Sequence, residues 1–258
     1  MKKKYIYGLI IFVIFMIVFL ILNIKLYKSD EIGSIAFNIN KNDYRIYIKE
    51  NDKYVSYLVL DNDYANSGNT LVMRENILGG ETYIYDYNGS IYKEKIYDKS
   101  FLMNQHCNYD ETEVDNFLTN DFIKYFDNKF LSFIINTELN IADVIDNDRY
   151  KIERKFFILS LGELNIDNVN EKDDNYSLKY FENNNLIAKN DFNVPVNYWT
   201  RSYGWLSYDA IGSTGKEIGL TGSEAKYGIR PVFTISSNTK IIKKYIKEIN
   251  KDVFVIDY

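Results

Sequence analysis

His106 and Cys107 are neighbours, and they are the one histidine and the one cysteine in a chain of 258 residues. A thiol beside an imidazole pairs a nucleophile with a base. Side chains adjacent in sequence usually point apart, however, and the Cys–His pairs of enzymes meet from distant segments. A single thiol closes no intrachain disulfide, and zinc would need mostly carboxylate ligands, an unusual set. Cys107 is therefore better read as a small apolar side chain in or near the core. Oxygen ligands are more plentiful, in "DNDYANSGN" (61–69), "DNDR" (146–149) and "EKDDN" (171–175). Calcium takes such ligands, but none of the three has EF-hand spacing. Solvated loops account for them, and no cofactor or metal is assigned; calcium is allowed by these loops and supported by nothing else.

The other chemistry-bearing residues gather near one end. "YWTRSYGW" (198–205) holds both tryptophans around Arg201, and "GIRPVF" (228–233) holds Arg230. Each guanidinium offers five donors. Such a group either recognises a ligand or ties irregular backbone to carboxylates and carbonyls. Tyr203, Trp205 and Tyr208 alternate enough to share part of a face, and aromatic rings with polar rims can stack on a sugar. Arg201, Tyr203, Trp205 and Arg230 are thus the ligand-binding candidates, with scaffold as the competing role for both arginines. No catalytic residue is assigned.

Elements must position these residues. "YRIYIKENDKYVSYLVLD" (44–61) predicts a hairpin turning near Asn51-Asp52, and Asn88-Gly89 predicts another within 81–98. Residues 110–134 predict a helix, with Val114, Phe117, Leu118, Phe122 and Tyr125 on one core-facing stripe and Asp110 or Thr112 as cap. Residues 154–165 read as a buried strand turning at Gly162, and 177–181 as a short helix in a long loop. The tail, 239–258, reads as helix plus strand, because Ile242, Tyr245, Ile246 and Ile249 fall at helical spacing.

The beginning of the chain carries a location reading. "MKKK" precedes an uncharged apolar run, 5–24, of about the length that crosses a ~30 Å hydrocarbon core. It is longer than the ~7–15-residue apolar region of a cleaved signal peptide. The expectation is a single-pass anchor held in the lipid bilayer through residues 5–24, N-terminus cytoplasmic and the rest extracytoplasmic. The organisation is then an anchor at 1–28, a stalk at 29–43, one domain at 44–238 and the tail at 239–258. Removing the five basic residues up to Lys28 from the 31 leaves 26 against 36 acidic ones, a net of about −10. Nucleic acid phosphates would repel such a domain, so nucleic acid is excluded as a partner.

Five segments in order resemble the bacterial family catalogued as domain of unknown function 6273. "YLVLD" (57–61) is similar to its opening strand. "VDNFLTNDFIKYF" (114–126) is similar to its Leu-x-x-Trp-Leu-Asn helix with Phe117 for Trp, and "KFFILSLGEL" (155–164) to its Val-Phe-Leu-Leu-Ser-x-x-Glu segment. Trp199, Arg201 and Ser202 match its Trp-Leu-Arg-Ser element, with Thr200 for Leu. Gly228, Arg230 and Pro231 match its Gly-Val-Arg-Pro-Ala element, with Ile229 for Val and Val232 for Ala. The resemblance implies a structural role for Trp199, Ser202, Gly228 and Pro231. It also implies an α+β, C-type-lectin-like fold related to the formylglycine-generating enzymes, with short antiparallel strands and one or two helices behind the transmembrane helix. An oxidase of that kind needs reactive cysteines in the last third of the chain, where none occurs.

The function expected is that of a membrane-anchored, extracytoplasmic binding or interaction domain, non-catalytic, for a surface protein or glycan. The alternatives are an envelope-acting enzyme with a carboxylate/Arg site and a structural part of a surface assembly. Two or more carboxylates converging with Arg201 or Arg230 in a cleft would favour the enzyme; two buried, paired arginines would be architecture.

Overall fold

The computed structural model describes residues 12, 13, 15, 16, 29–38, 40, 43–85, 91–96, 99–103, 106–145, 148–166, 176–182, 186–204, 207–219 and 225–258, and the side chains of all of these except 81–85 and 91–96. Strand β1 (Asp30–Glu31) leads into a 3-10 turn, Ile32–Ile35, that buries Ile32 and Ile35. β2 (Arg45–Glu50) and β3 (Lys53–Asp61) form the expected hairpin. Asn51 and Asp52 close it at φ 46° and 65°, the left-handed pair that a two-residue hairpin turn needs and that Asn and Asp tolerate. β4 (Asn69–Arg74) follows, then the hairpin of β5 (Glu81–Tyr85) and β6 (Ile91–Ile96), and β7 (Phe101–Leu102). The Asn88-Gly89 turn lies outside the described residues.

Helix α1 (Glu113–Asn120) starts at Thr112, whose hydroxyl accepts from the Asp115 amide at 3.1 Å. A 3-10 turn, Phe122–Tyr125, separates it from α2 (Asn128–Leu131), where Asp127 caps the Phe130 amide at 2.7 Å. Strands β8 (Ile134–Ile135), β9 (Thr137–Ala142) and β10 (Arg149–Arg154) come next, then helix α3 (Lys179–Glu182). The chain closes with β11 (Tyr198–Tyr203), β12 (Tyr208–Ile211), β13 (Glu217–Ile218), β14 (Lys226–Tyr227), β15 (Val232–Ser236), β16 (Lys240–Ile246) and β17 (Lys251–Ile256).

One antiparallel sheet, ordered β2-β3-β4-β15-β8, is the platform. Tyr57 and Phe233 project from it into an aromatic core. Phe233 meets Phe130 edge-on at 5.6 Å, and Phe156 lies between Phe233 and a stacked Phe126 at 5.2 Å. The expected stripe is therefore packing: Val114, Phe117, Leu118 and Phe122 are all buried.

Several expectations are corrected. The single helix over 110–134 is four short pieces, the first a 3-10 turn at Tyr109–Glu111, because Thr112 and Asp127 each cap a new start and the core is filled from each turn separately. Beyond the end of β10 at Arg154, residues 155–165 make no strand, although 156–161, 163 and 164 are buried. Phe157 exchanges backbone bonds with Val232, the Leu159 carbonyl accepts from Arg201, and the Leu161 amide donates to the Ser202 hydroxyl. A segment serving three partners in turn has no ladder to join. The tail is a hairpin, not a helix: β16 pairs with β17 on one side and β1 on the other. β-branched Ile241, Ile242, Ile246, Val253 and Val255 suit that pairing. The segment 29–43, expected as a stalk, supplies β1 and the fully buried Ile32.

The fold class is corrected as well. Strands outweigh helices, and no helix among the described residues is long and apolar enough to cross a membrane. The apolar run 5–24 lies outside the described residues except at Phe12, Val13, Phe15 and Met16. An apolar run is a matter of composition, whereas a span also needs an unbroken helix of about 20 residues. The α+β class with a transmembrane helix and the single-pass membrane location give way to a mostly β architecture among the described residues.

Candidate functional site

The surroundings of Arg201 and Arg230 decide what the signature segments do. Arg201, only 3% exposed, projects from β11 onto Glu163, itself 1% exposed. Its Nη1 donates both to that carboxylate and to the Ile158 carbonyl. Glu163 also accepts from the Tyr64 hydroxyl and, at 2.8 Å, from the Ser160 amide. A buried carboxylate with three kinds of donor is a fixed structural charge. Arg230 is 7% exposed. Its Nη2 donates to the Glu75 carbonyl at 2.9 Å, and its guanidinium stands 5.6 Å from the centre of the Tyr198 ring.

Further ties follow the same pattern. Arg74 spans from buried Glu50 to Asp191, and Tyr57 donates to the same Glu50. Arg45 and Ser56 both bond Glu75. Burial alone would raise the Glu75 carboxyl, but the bonds from Arg45 and Ser56, with the charges of Arg45 and Arg230, together hold it below the usual range. At Asp115 the balance reverses: burial raises the carboxyl and the Arg154 bond offsets only part of that. Near Arg230 and Glu75, burial pushes the Tyr180 hydroxyl up to about 12.

Trp199 is buried, donates its indole N–H to the Phe101 carbonyl at 2.6 Å and packs on Tyr227. The Gly228 carbonyl accepts from the Trp199 amide, and the Pro231 carbonyl from the Arg74 amide at 2.8 Å. Gly228 has no room for a side chain, since a Cβ there would lie 2.2 Å from Ile77 Cγ2. Tyr203 is half-buried and meets Tyr208 edge-on at 5.2 Å. Trp205 lies outside the described residues. Arg201 and Arg230 share one scaffold without converging on a common carboxylate, and neither opens into a described cleft.

Cys107 is not activated. Burial, then Glu111 and Asp110, push its thiol above the ordinary value. In the 61–69 loop the carboxylates are used internally: Asp63 accepts from the Gly68 amide and Asp61 from the Asp63 amide and the Tyr176 hydroxyl. Among the described residues no group of three or more His, Cys, Asp or Glu could hold a metal ion. The stretches 146–147 and 171–175 lie outside them.

A recess of about 260 Å³ lies elsewhere, between the β2–β3 hairpin, the cap of α2 and the β16–β17 hairpin. Phe130, Val255 and Ile256 form its apolar floor; Tyr47, Tyr54 and Tyr258 supply rings; Lys49, Lys244, Asp127 and Asp257 supply charge. The Lys49 ammonium stands 5.5 Å from the centre of the Tyr54 ring. Tyr258 reaches Asp127 at 3.4 Å and tilts against Phe133. Lys244 and Asp257 make no side-chain hydrogen bond or ion pair among the described residues. Sequence reasoning missed this recess because it assigned β16 to a helix. The available signal was the alternation of Tyr47 and Lys49 along β2, with Lys49 opposite Tyr54 across the first hairpin.

A β scaffold closed by buried arginine–carboxylate pairs, with a separate aromatic and charged recess, is thus the kind of molecule the fold defines. The chain belongs to the family described as Domain of unknown function (DUF6273), which matches it over residues 67–237. No curated protein and no solved structure matches it. Of the recess, only Asp127 and Phe130 fall within the family match.

Proposed function

We propose that this chain is a non-catalytic binding module for a protein or a glycan, and that the recess between the β2–β3 and β16–β17 hairpins is where the ligand seats. The observation that carries the reading is a contrast in how charge is used. Arg201, Glu163, Arg74 and Glu50 are buried in mutual bonds, so neither their protons nor their donors are at a substrate's disposal. At the recess, Lys49, Lys244 and Asp257 reach solvent with no carboxylate or ammonium partner among the described residues, beside tyrosine rings. Mixed polar and aromatic concavities of this kind bind small ligands or the tip of a larger one. The kinship with the C-type-lectin-like fold is part of this proposal; it rests on the order of the sequence elements, and fold alone assigns no ligand.

The test is a binding screen of the chain against glycan and protein panels, run in parallel with Lys49→Ala and Tyr54→Ala variants. The reading expects a ligand that is retained unchanged in composition and lost on altering the recess. Turnover of any panel member, or binding indifferent to both variants, overturns it.

A further inference from the structure

The lining of the recess goes further than a choice between protein and glycan. Its four charged side chains are two donors-only ammoniums, Lys49 and Lys244, and two acceptor-only carboxylates, Asp127 and Asp257. Their charges cancel. An anionic ligand would meet Asp127 and Asp257, and a cationic one would meet Lys49 and Lys244. A purely apolar ligand would strip water from all four without replacing its hydrogen bonds, which is costly. A neutral polyol escapes each objection, because every hydroxyl both donates and accepts. It can accept from an ammonium and donate to a carboxylate at the same time.

The aromatic rings of the recess differ in what covers them. Lys49 stands over Tyr54, and Lys129 stands 5.5 Å from the centre of the Tyr258 ring. Tyr47 has no ring or cation contact among the described residues and is half-buried on the Ile246/Val253/Val255 cluster, which fixes its orientation. A fixed ring beside hydrogen-bonding groups of both kinds suits the apolar C–H face of a pyranose. The volume, about 260 Å³, lies just under the ~300 Å³ lower bound of drug-sized pockets, so the fit is to one or two sugar units and not to a long chain.

Resting on the binding-module reading above, we infer that the recess takes a neutral sugar unit, stacked on Tyr47 and held between Lys244 and Asp257. Calorimetric titration of the full chain with neutral di- and trisaccharides of glucose, mannose and N-acetylglucosamine is expected to show binding. Oligogalacturonate and chitosan oligomers, the acidic and basic counterparts, are expected to bind about tenfold more weakly or worse. Tyr47→Ala is expected to abolish binding. Because Tyr47 also packs on its cluster, Lys244→Ala and Asp257→Asn serve as the second arm. Both residues are exposed, so each variant should keep the wild-type melting temperature while weakening the neutral sugar about tenfold. Preference for the charged oligomers, or neutral binding untouched by the second-arm variants, overturns the inference. A protein ligand that the same variants release would overturn the sugar while leaving the binding module standing. Ligands of both kinds indifferent to all recess variants would take down both.

Discussion

Replacing Arg201 by Met tests whether the signature arginine is architecture. The side chain is 1% exposed, as is that of its partner Glu163. Met fills much of the same volume, so the main loss is the charge and its bonds to Glu163 and the Ile158 carbonyl. Breaking a buried pair by removing one partner costs about 3–5 kcal/mol, because the remaining charge stays buried. Here Tyr64 and the Ser160 amide still donate to Glu163, which places the loss toward the lower end of that range. For a chain of this size each kcal/mol lowers the melting temperature by roughly 2–4 °C, so a fall of roughly 6–12 °C is expected. Calorimetric and urea melts of Arg201→Met, Glu163→Gln and the double variant form the assay. In the double variant no unpaired charge remains, so its loss should be clearly smaller than the sum of the single losses. Additive losses, or a single-variant loss under about 1 kcal/mol, would refute the scaffold assignment. So would loss of ligand binding by Arg201→Met at a temperature where it remains fully folded.

Gly228→Ala is expected to destabilise by about 1–3 kcal/mol or more, because the new methyl meets Ile77 Cγ2 at 2.2 Å and the Leu78 carbonyl at 3.0 Å. Gly68→Ala, with φ +71° and nothing nearby, should cost only about 1 kcal/mol of backbone strain; chemical melts giving equal losses would contradict this. Glu75 has its folded carboxyl below the usual range. Its contribution is therefore present above the unfolded carboxyl's pKa and is lost as pH falls through the folded one. The stability gap between wild type and Glu75→Gln should close on acidification, and a gap constant with pH would be inconsistent with it. The Cys107 thiol, raised by burial and by Glu111 and Asp110, should alkylate more slowly than free cysteine at neutral pH and faster in Glu111→Gln. Iodoacetamide kinetics equal to those of a free thiol would show otherwise.

The features that could be read from the residues alone are local. The Asn51-Asp52 turn, the buried stripe of Val114, Phe117, Leu118 and Phe122, the buried run through Phe157 and Leu161, and the family signature were all legible, because turn chemistry and periodicity act over a few residues. The pairing of distant groups emerges only from the folded chain. Arg201 finds Glu163 across 38 positions, and Arg74, already bonded to Glu50, finds Asp191 across 117. The helical spacing in the tail lost to a strand ladder whose far partner is Asp30–Glu31 at the other end of the chain. Hydrogen-bond ladders and buried ion pairs are contracts between remote segments, and no spacing within one segment records the other party. The recess formed by two such remote hairpins is accordingly invisible until both are folded.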